Sequence, residues 1–118
     1  MPVDPLLHLV PAGDFDVAGT APYAPASLEA EGFVHCSTPD QVAGTARLLF
    51  AGHDDLLLLV VDPRLLDGAE VLHEDLYGVG QPFPHVYGPV PRQAIVEVRP
   101  FPPGRGGRWS RPDVAPLA

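Results

Sequence analysis

The stretch Glu31-Gly32-Phe33-Val34-His35-Cys36-Ser37-Thr38-Pro39 sets an imidazole, a thiol and two hydroxyls side by side at the end of an apolar run. These groups move protons or act as nucleophiles, and a chain that turns from them straight into a helix holds them beside the positive end of its dipole. Two more groups share that chemistry. His73-Glu74 joins an imidazole to a carboxylate, and His85-Val86-Tyr87 lies in a backbone stiffened by Pro84 and Pro89. His8 is the one polar member of Leu6-Leu7-His8-Leu9-Val10. A plainer reading stays open for each: a His on an apolar strand often only satisfies a core hydrogen bond, Glu74 can be a solvated strand end, and Tyr87 can cap the core. His53 and His73 read as surface residues.

Other chemistries fit less well. His35, Cys36, His73 and His85 are acceptable zinc ligands, but no pair has the close spacing of a zinc site, and strand neighbours such as His35 and Cys36 face opposite ways. No metal is expected. Cys36 is either a hydrolase nucleophile or a small hydrophobe. No Walker or dinucleotide-type glycine loop is present, and Gly78-Val79-Gly80 is too short to count as one.

The elements that must carry these groups follow from pattern. Leu6–Val10 alternates as a strand, with Leu7 and Leu9 on one face and Leu6, His8 and Val10 on the other. Ser27–Glu31 reads as a helical turn closed by Gly32. Thr38, Pro39 and Gln41 read as a capping box opening the principal helix, from Pro39 to about Ala51, with Val42, Ala46, Leu49 and Phe50 as its apolar stripe. Leu56–Val61 is a continuous apolar run, expected as the central strand covered on both faces. Val71–Glu74, His85–Tyr87 and Ile95–Val98 complete an α+β pattern of short, mostly antiparallel strands around one principal helix.

Composition narrows the partners. The chain has 118 residues, one domain by length, with sixteen prolines and twelve glycines that imply short elements and tight loops. Fifteen acidic residues against seven arginines give a net charge of −8, so nucleic acid is an unfavourable partner. Arg105, Arg108 and Arg111 fall among Gly104, Gly106, Gly107 and flanking prolines. Residues 102–118 are therefore expected to be a flexible tail on a globular domain of residues 1–101. No apolar run approaches the roughly 20 residues that cross a bilayer, and Cys36 is the single cysteine. A cytoplasmic protein is the expectation.

Gly32-Phe33-Val34-His35-Cys36-Ser37-Thr38, Val61-Asp62-Pro63 and Phe83-Pro84-His85-Val86-Tyr87-Gly88-Pro89 together resemble the small bacterial family called domain of unknown function 952. That family in turn resembles the ADP-ribosyltransferase fold, and especially the RNA 2′-phosphotransferases that act with NAD. Leu7-His8-Leu9 is similar to their first His-bearing strand and Phe33–Ser37 to their His-Val-His-Leu-Ser strand. The resemblance implies NAD as a candidate substrate bound in a cleft. His35, Glu74 and His85 would then be catalytic, and His8, Ser37 and Tyr87 would bind the cofactor. Glu97 is a further candidate carboxylate by chemistry. The Gly-Thr that follows the first His in the phosphotransferases is replaced here by Leu9-Val10, and their phosphate-gripping arginines have no evident counterpart. A non-catalytic nucleotide- or metabolite-binding module, a small-molecule enzyme working without NAD, and an accessory protein with a protein partner therefore stay open.

Overall fold

The computed structural model describes residues 1–118. Eight principal elements occur in the order β1 (Leu6–Pro11), α1 (Ala26–Glu31), β2 (Val34–His35), α2 (Val42–Leu49), β3 (Leu56–Val61), β4 (Glu70–Glu74), β5 (Phe83–Tyr87) and β6 (Ile95–Pro100), joined by loops and short 3₁₀ turns. The strands form two three-stranded antiparallel sheets, in the orders β1-β3-β6 and β2-β5-β4. No helix is long and apolar enough to cross a membrane.

The apolar run Leu56–Val61 is the central strand of its sheet, and its period of two feeds two cores. Leu59 and Val61 join Leu6, Val10, Val34 and Val86 between the sheets. Leu56, Leu58 and Val60 join Leu7, Leu9 and the Val42, Ala43 and Ala46 face of α2 on the other side. A strand buried on both faces needs no polar positions, which explains the unbroken run. The architecture is thus α+β, as the pattern implies, but the strands pack on each other as two layers. The longest helix lies against the outside of one of them.

Three expectations change at this level. Helix α2 starts at Val42 rather than Pro39, because residues 38–41 form a turn. Only half of the capping box is made, the Gln41 side-chain oxygen accepting from the Thr38 N–H at 3.1 Å. Leu49 ends the helix and is exposed instead of completing the buried stripe. The third change is the C-terminal stretch, which is not a solvated tail. Trp109 and Val114 are buried against the face of β3 that bears Leu56, Leu58 and Val60, and the Trp109 indole donates to the Phe101 carbonyl at 2.9 Å. Leu117 then pairs with Val3 through two main-chain bonds. Without this cover the apolar side chains of β3 on that face would be less well shielded from water. By contrast, Gly32 closes α1 as expected, in the left-handed conformation with φ of 87° and its N–H donating to Leu28.

Candidate active site

The two sheets touch at one point and then part. Leu7 and Ser37 exchange both main-chain hydrogen bonds, at 2.7 and 2.8 Å. Continuing that ladder would pair Leu9 with His35, but the ladder stops. The His8 Nδ1–H donates to the His35 carbonyl at 2.6 Å, taking the acceptor that Leu9 would otherwise use. Its Nε2 accepts from the Tyr23 hydroxyl at 2.8 Å. Burial pushes the His8 pKa down to about 4, so the ring is neutral, as this pair of bonds requires.

Antiparallel parity shows what the parting leaves open. Ala12 N–H bonds Asp55 and Leu7 bonds Ser37, so the even-numbered residues of β1 face β3 while Leu9 faces the free edge. Cys36 N–H bonds Pro84, so His35 turns its N–H the same way, toward β1. The Leu9 N–H, the Leu9 carbonyl and the His35 N–H meet no partner in the chain. They border a cleft of about 1370 Å³ that Leu9, His35, Ser37, Tyr77, His85 and Arg92 help to line.

Beyond this seam, on the outer face of the second sheet, stand two similar clusters. His35 and His85 are direct cross-strand partners with ring centroids 5.5 Å apart. His85 Nδ1–H donates to Glu74 at 3.0 Å, and Tyr87 donates to the same carboxylate oxygen at 2.5 Å. His35 Nε2–H donates to Glu31, whose other oxygen accepts from Tyr77 at 2.8 Å. The Tyr87 and His85 hydrogen bonds hold Glu74 below the usual carboxylate range, and His35 with Tyr77 does the same for Glu31. Each carboxylate therefore stays ionised and fixes the tautomer of its imidazole. His85 keeps Nε2 without a partner in the chain and lines the cleft, while Phe33 stacks on its ring at 4.1 Å.

The residues singled out from sequence divide accordingly. His35, Glu74 and His85 come together as one hydrogen-bonded and cross-strand group. His8 lines the cleft, but both ring nitrogens are engaged, so it shapes the seam and offers no free nitrogen to a ligand. Ser37 also lines it, with its hydroxyl bonded to Thr45 at 2.9 Å. Tyr87 opens onto a separate shallow depression beside Leu66, Pro89 and Pro91, and its contact with the site runs through Glu74. Stacking of Tyr87 on a base in the cleft is therefore not what this geometry offers. Glu97 pairs with Arg99 on β6, away from the cleft. Cys36 is buried and desolvation pushes its thiol up to about 12, the state of an inert core cysteine. His53 and His73 are exposed.

Sequence reasoning passed over Glu31, Tyr77 and the main chain at Leu9. Glu31 sits four residues before His35, a helical spacing, yet the two meet across the Gly32 turn between a helix and a strand. Tyr77 stands in a long loop that offers no periodicity, and unpaired main-chain groups carry no residue signature at all.

Comparison with known proteins agrees with this architecture. The chain is similar to protein CC0527 from Caulobacter crescentus, whose crystal structure matches with a TM-score of 0.73 at 26% identity, covering 90% of this chain and 93% of that one. The solution structure of CC0527 matches with a TM-score of 0.69 at 25% identity, covering 88% and 90%. No curated protein matches the sequence. The profile described as protein of unknown function (DUF952) matches residues 10–98, and the chain therefore belongs to that family.

Proposed function

We propose that the cleft binds a heteroaromatic carboxamide and that the chain is an ADP-ribosyltransferase-like enzyme with NAD as its substrate. The observation that carries this reading is the open main chain at the seam. A primary carboxamide presents one acceptor and one donor side by side, which matches the Leu9 N–H and carbonyl, with the His35 N–H as a second donor. Main-chain groups held in a sheet are already oriented, so binding costs little reorganisation.

The remaining chemistry follows from the two clusters. Breaking the bond between the ribose C1′ and the pyridinium nitrogen sends the electron pair to nicotinamide, which leaves neutral. Positive charge then grows on the ribose, and the ionised Glu31 at His35 is the nearby carboxylate that favours it. An acceptor hydroxyl or amine forms the new bond to C1′ and gives its proton to His85 Nε2, with Glu74 acting as the positioning residue behind Nδ1.

A second reading is favoured by charge. Arg92 is the one arginine lining the cleft, it already donates to the carbonyls of Ala21 and Asp16 at 2.8 and 2.7 Å, and Asp14 and Asp16 share its wall. A pyrophosphate gains little there. This favours a small-molecule enzyme, or a non-catalytic metabolite-binding module, that uses the same seam without NAD.

Titration of ¹⁵N-labelled protein with nicotinamide, ADP-ribose and NAD separates the readings. The first predicts saturable shifts at the Leu9 and His35 amides with nicotinamide and with NAD, and nicotinamide release that His85→Gln abolishes. Shifts with nicotinamide alone support the second reading. No shift at either amide with any of the three overturns the carboxamide assignment.

A further inference from the structure

Strand β6 forms the edge of its sheet opposite β1. The Phe101 N–H bonds the Leu56 carbonyl, so the same parity turns the main chain of Glu97 and Arg99 toward β3 and that of Val98 outward. The Val98 N–H and carbonyl meet no partner in the chain. Val96 and Val98 are 46% and 39% exposed, unusual for β-branched side chains on an open edge. The bulge opposite Val60/Val61 lies at the start of β6, so the ladder from Glu97 to Pro100 runs regularly.

Edge strands commonly avoid self-pairing by carrying like charges, and β6 does the opposite. Glu97 and Arg99 flank Val98 symmetrically on one face, already bonded to each other at 2.8 and 2.9 Å. An antiparallel neighbour related by a two-fold axis at Val98 would bring Val98 N–H and carbonyl into a reciprocal pair. It would also set Glu97 of each copy directly opposite Arg99 of the other, where opposite charges stabilise and like charges repel. Val98 would face its own counterpart on the second face. Pro100, whose nitrogen also faces outward, has no N–H to offer Val96 of the other copy, so the ladder between copies is held by the reciprocal Val98 pair.

We propose that β6 is a self-association edge through which two copies of this chain pair about Val98, merging their β1-β3-β6 sheets into one. The site in the cleft lies along β1, across β3 from this edge, so the proposal stands independently of the carboxamide reading.

Sedimentation equilibrium on the full chain tests it. The wild type is expected to show a reversible monomer–dimer equilibrium below about 1 mM. Glu97→Arg, which places like charges opposite, and Val98→Pro, which removes the central donor, are each expected to weaken it about tenfold or more. The double exchange Glu97→Arg with Arg99→Glu restores the charge pairing and should recover wild-type association. Val98→Cys should form a disulfide-linked dimer on mild oxidation, since a reciprocal pair has a Cα separation near 5.5 Å, within disulfide reach. A wild type that stays monomeric, a double exchange that associates no better than Glu97→Arg, or a Val98→Cys chain that does not cross-link would overturn the proposal.

Discussion

The Nδ1–H of His8 donates to the main-chain carbonyl of His35 at 2.6 Å, across the point where β1 and β2 part. A side chain here occupies an acceptor that a neighbouring strand would otherwise take, and the cleft exists because the ladder is interrupted. Burial, against the opposing pull of this bond, makes His8 a source of pH dependence. In the fold its pKa is pushed down to about 4 from 6.5, so the neutral ring is favoured. That contribution is complete above pH 6.5 and is lost as pH falls from there to about 4, because the unfolded chain takes up the proton first. Urea unfolding at pH 7 and pH 4 should differ by about 3 kcal/mol from this group. In His8→Asn, whose amide can still donate to His35, that share of the slope should vanish.

Amide exchange should alternate along β1. The N–H groups of His8 and Val10 face β3 and should exchange slowly, whereas Leu9, facing the cleft, should exchange much faster than either. His8→Leu frees the His35 carbonyl and lets the ladder extend, so Leu9 should become protected. Equal protection of all three amides in the wild type would contradict the open seam.

Glu74 holds the Tyr87 phenol as well as His85, and its carboxylate is what raises the Tyr87 pKa to about 12. In Glu74→Gln the phenol should return toward about 10, the ordinary tyrosine value. Ultraviolet titration of the tyrosines reads this directly, and an unmoved Tyr87 would place its perturbation elsewhere.

Cys36 should be inert in the folded chain. With its thiol pushed up to about 12 by burial, Ellman's reagent at pH 8 should label it only as fast as the chain unfolds. Rapid labelling under native conditions would return it to the candidate nucleophiles.

Trp109→Ala should cost about 3 to 5 kcal/mol, the range for emptying an aromatic site in a core. A free tail would lose nothing. Native emission from this single tryptophan should also be blue-shifted relative to the unfolded chain.

Much of the fold was legible in residue pattern. The unbroken run at Leu56–Val61, the alternation around His8 and the glycine stop at Gly32 each follow from local rules, and each is present. The convergence of His35, Glu74 and His85 was legible as chemistry, although nothing in their spacing reveals that β2 and β5 are neighbours. What escaped was non-local. Proline and glycine around Arg105 and Arg108 resemble a solvated tail, and only the lone Trp109 hints that the segment returns to cover β3. The helix start was misplaced because a turn at residues 38–41 can use the same side-chain bond as a cap.

The recognition groups at the seam belong to the main chain, and this has a consequence for how such a site drifts. A point mutation at position 9 exchanges the leucine but, proline aside, hands on the same N–H and carbonyl in the same direction. Selection on ligand binding would therefore act on whatever keeps the strands apart, above all the imidazole at position 8, and would bear on position 9 only through the packing of its side chain in the core. Relatives that bind the same group could share no side chain at the point of contact, so a search for matching residues would pass over them.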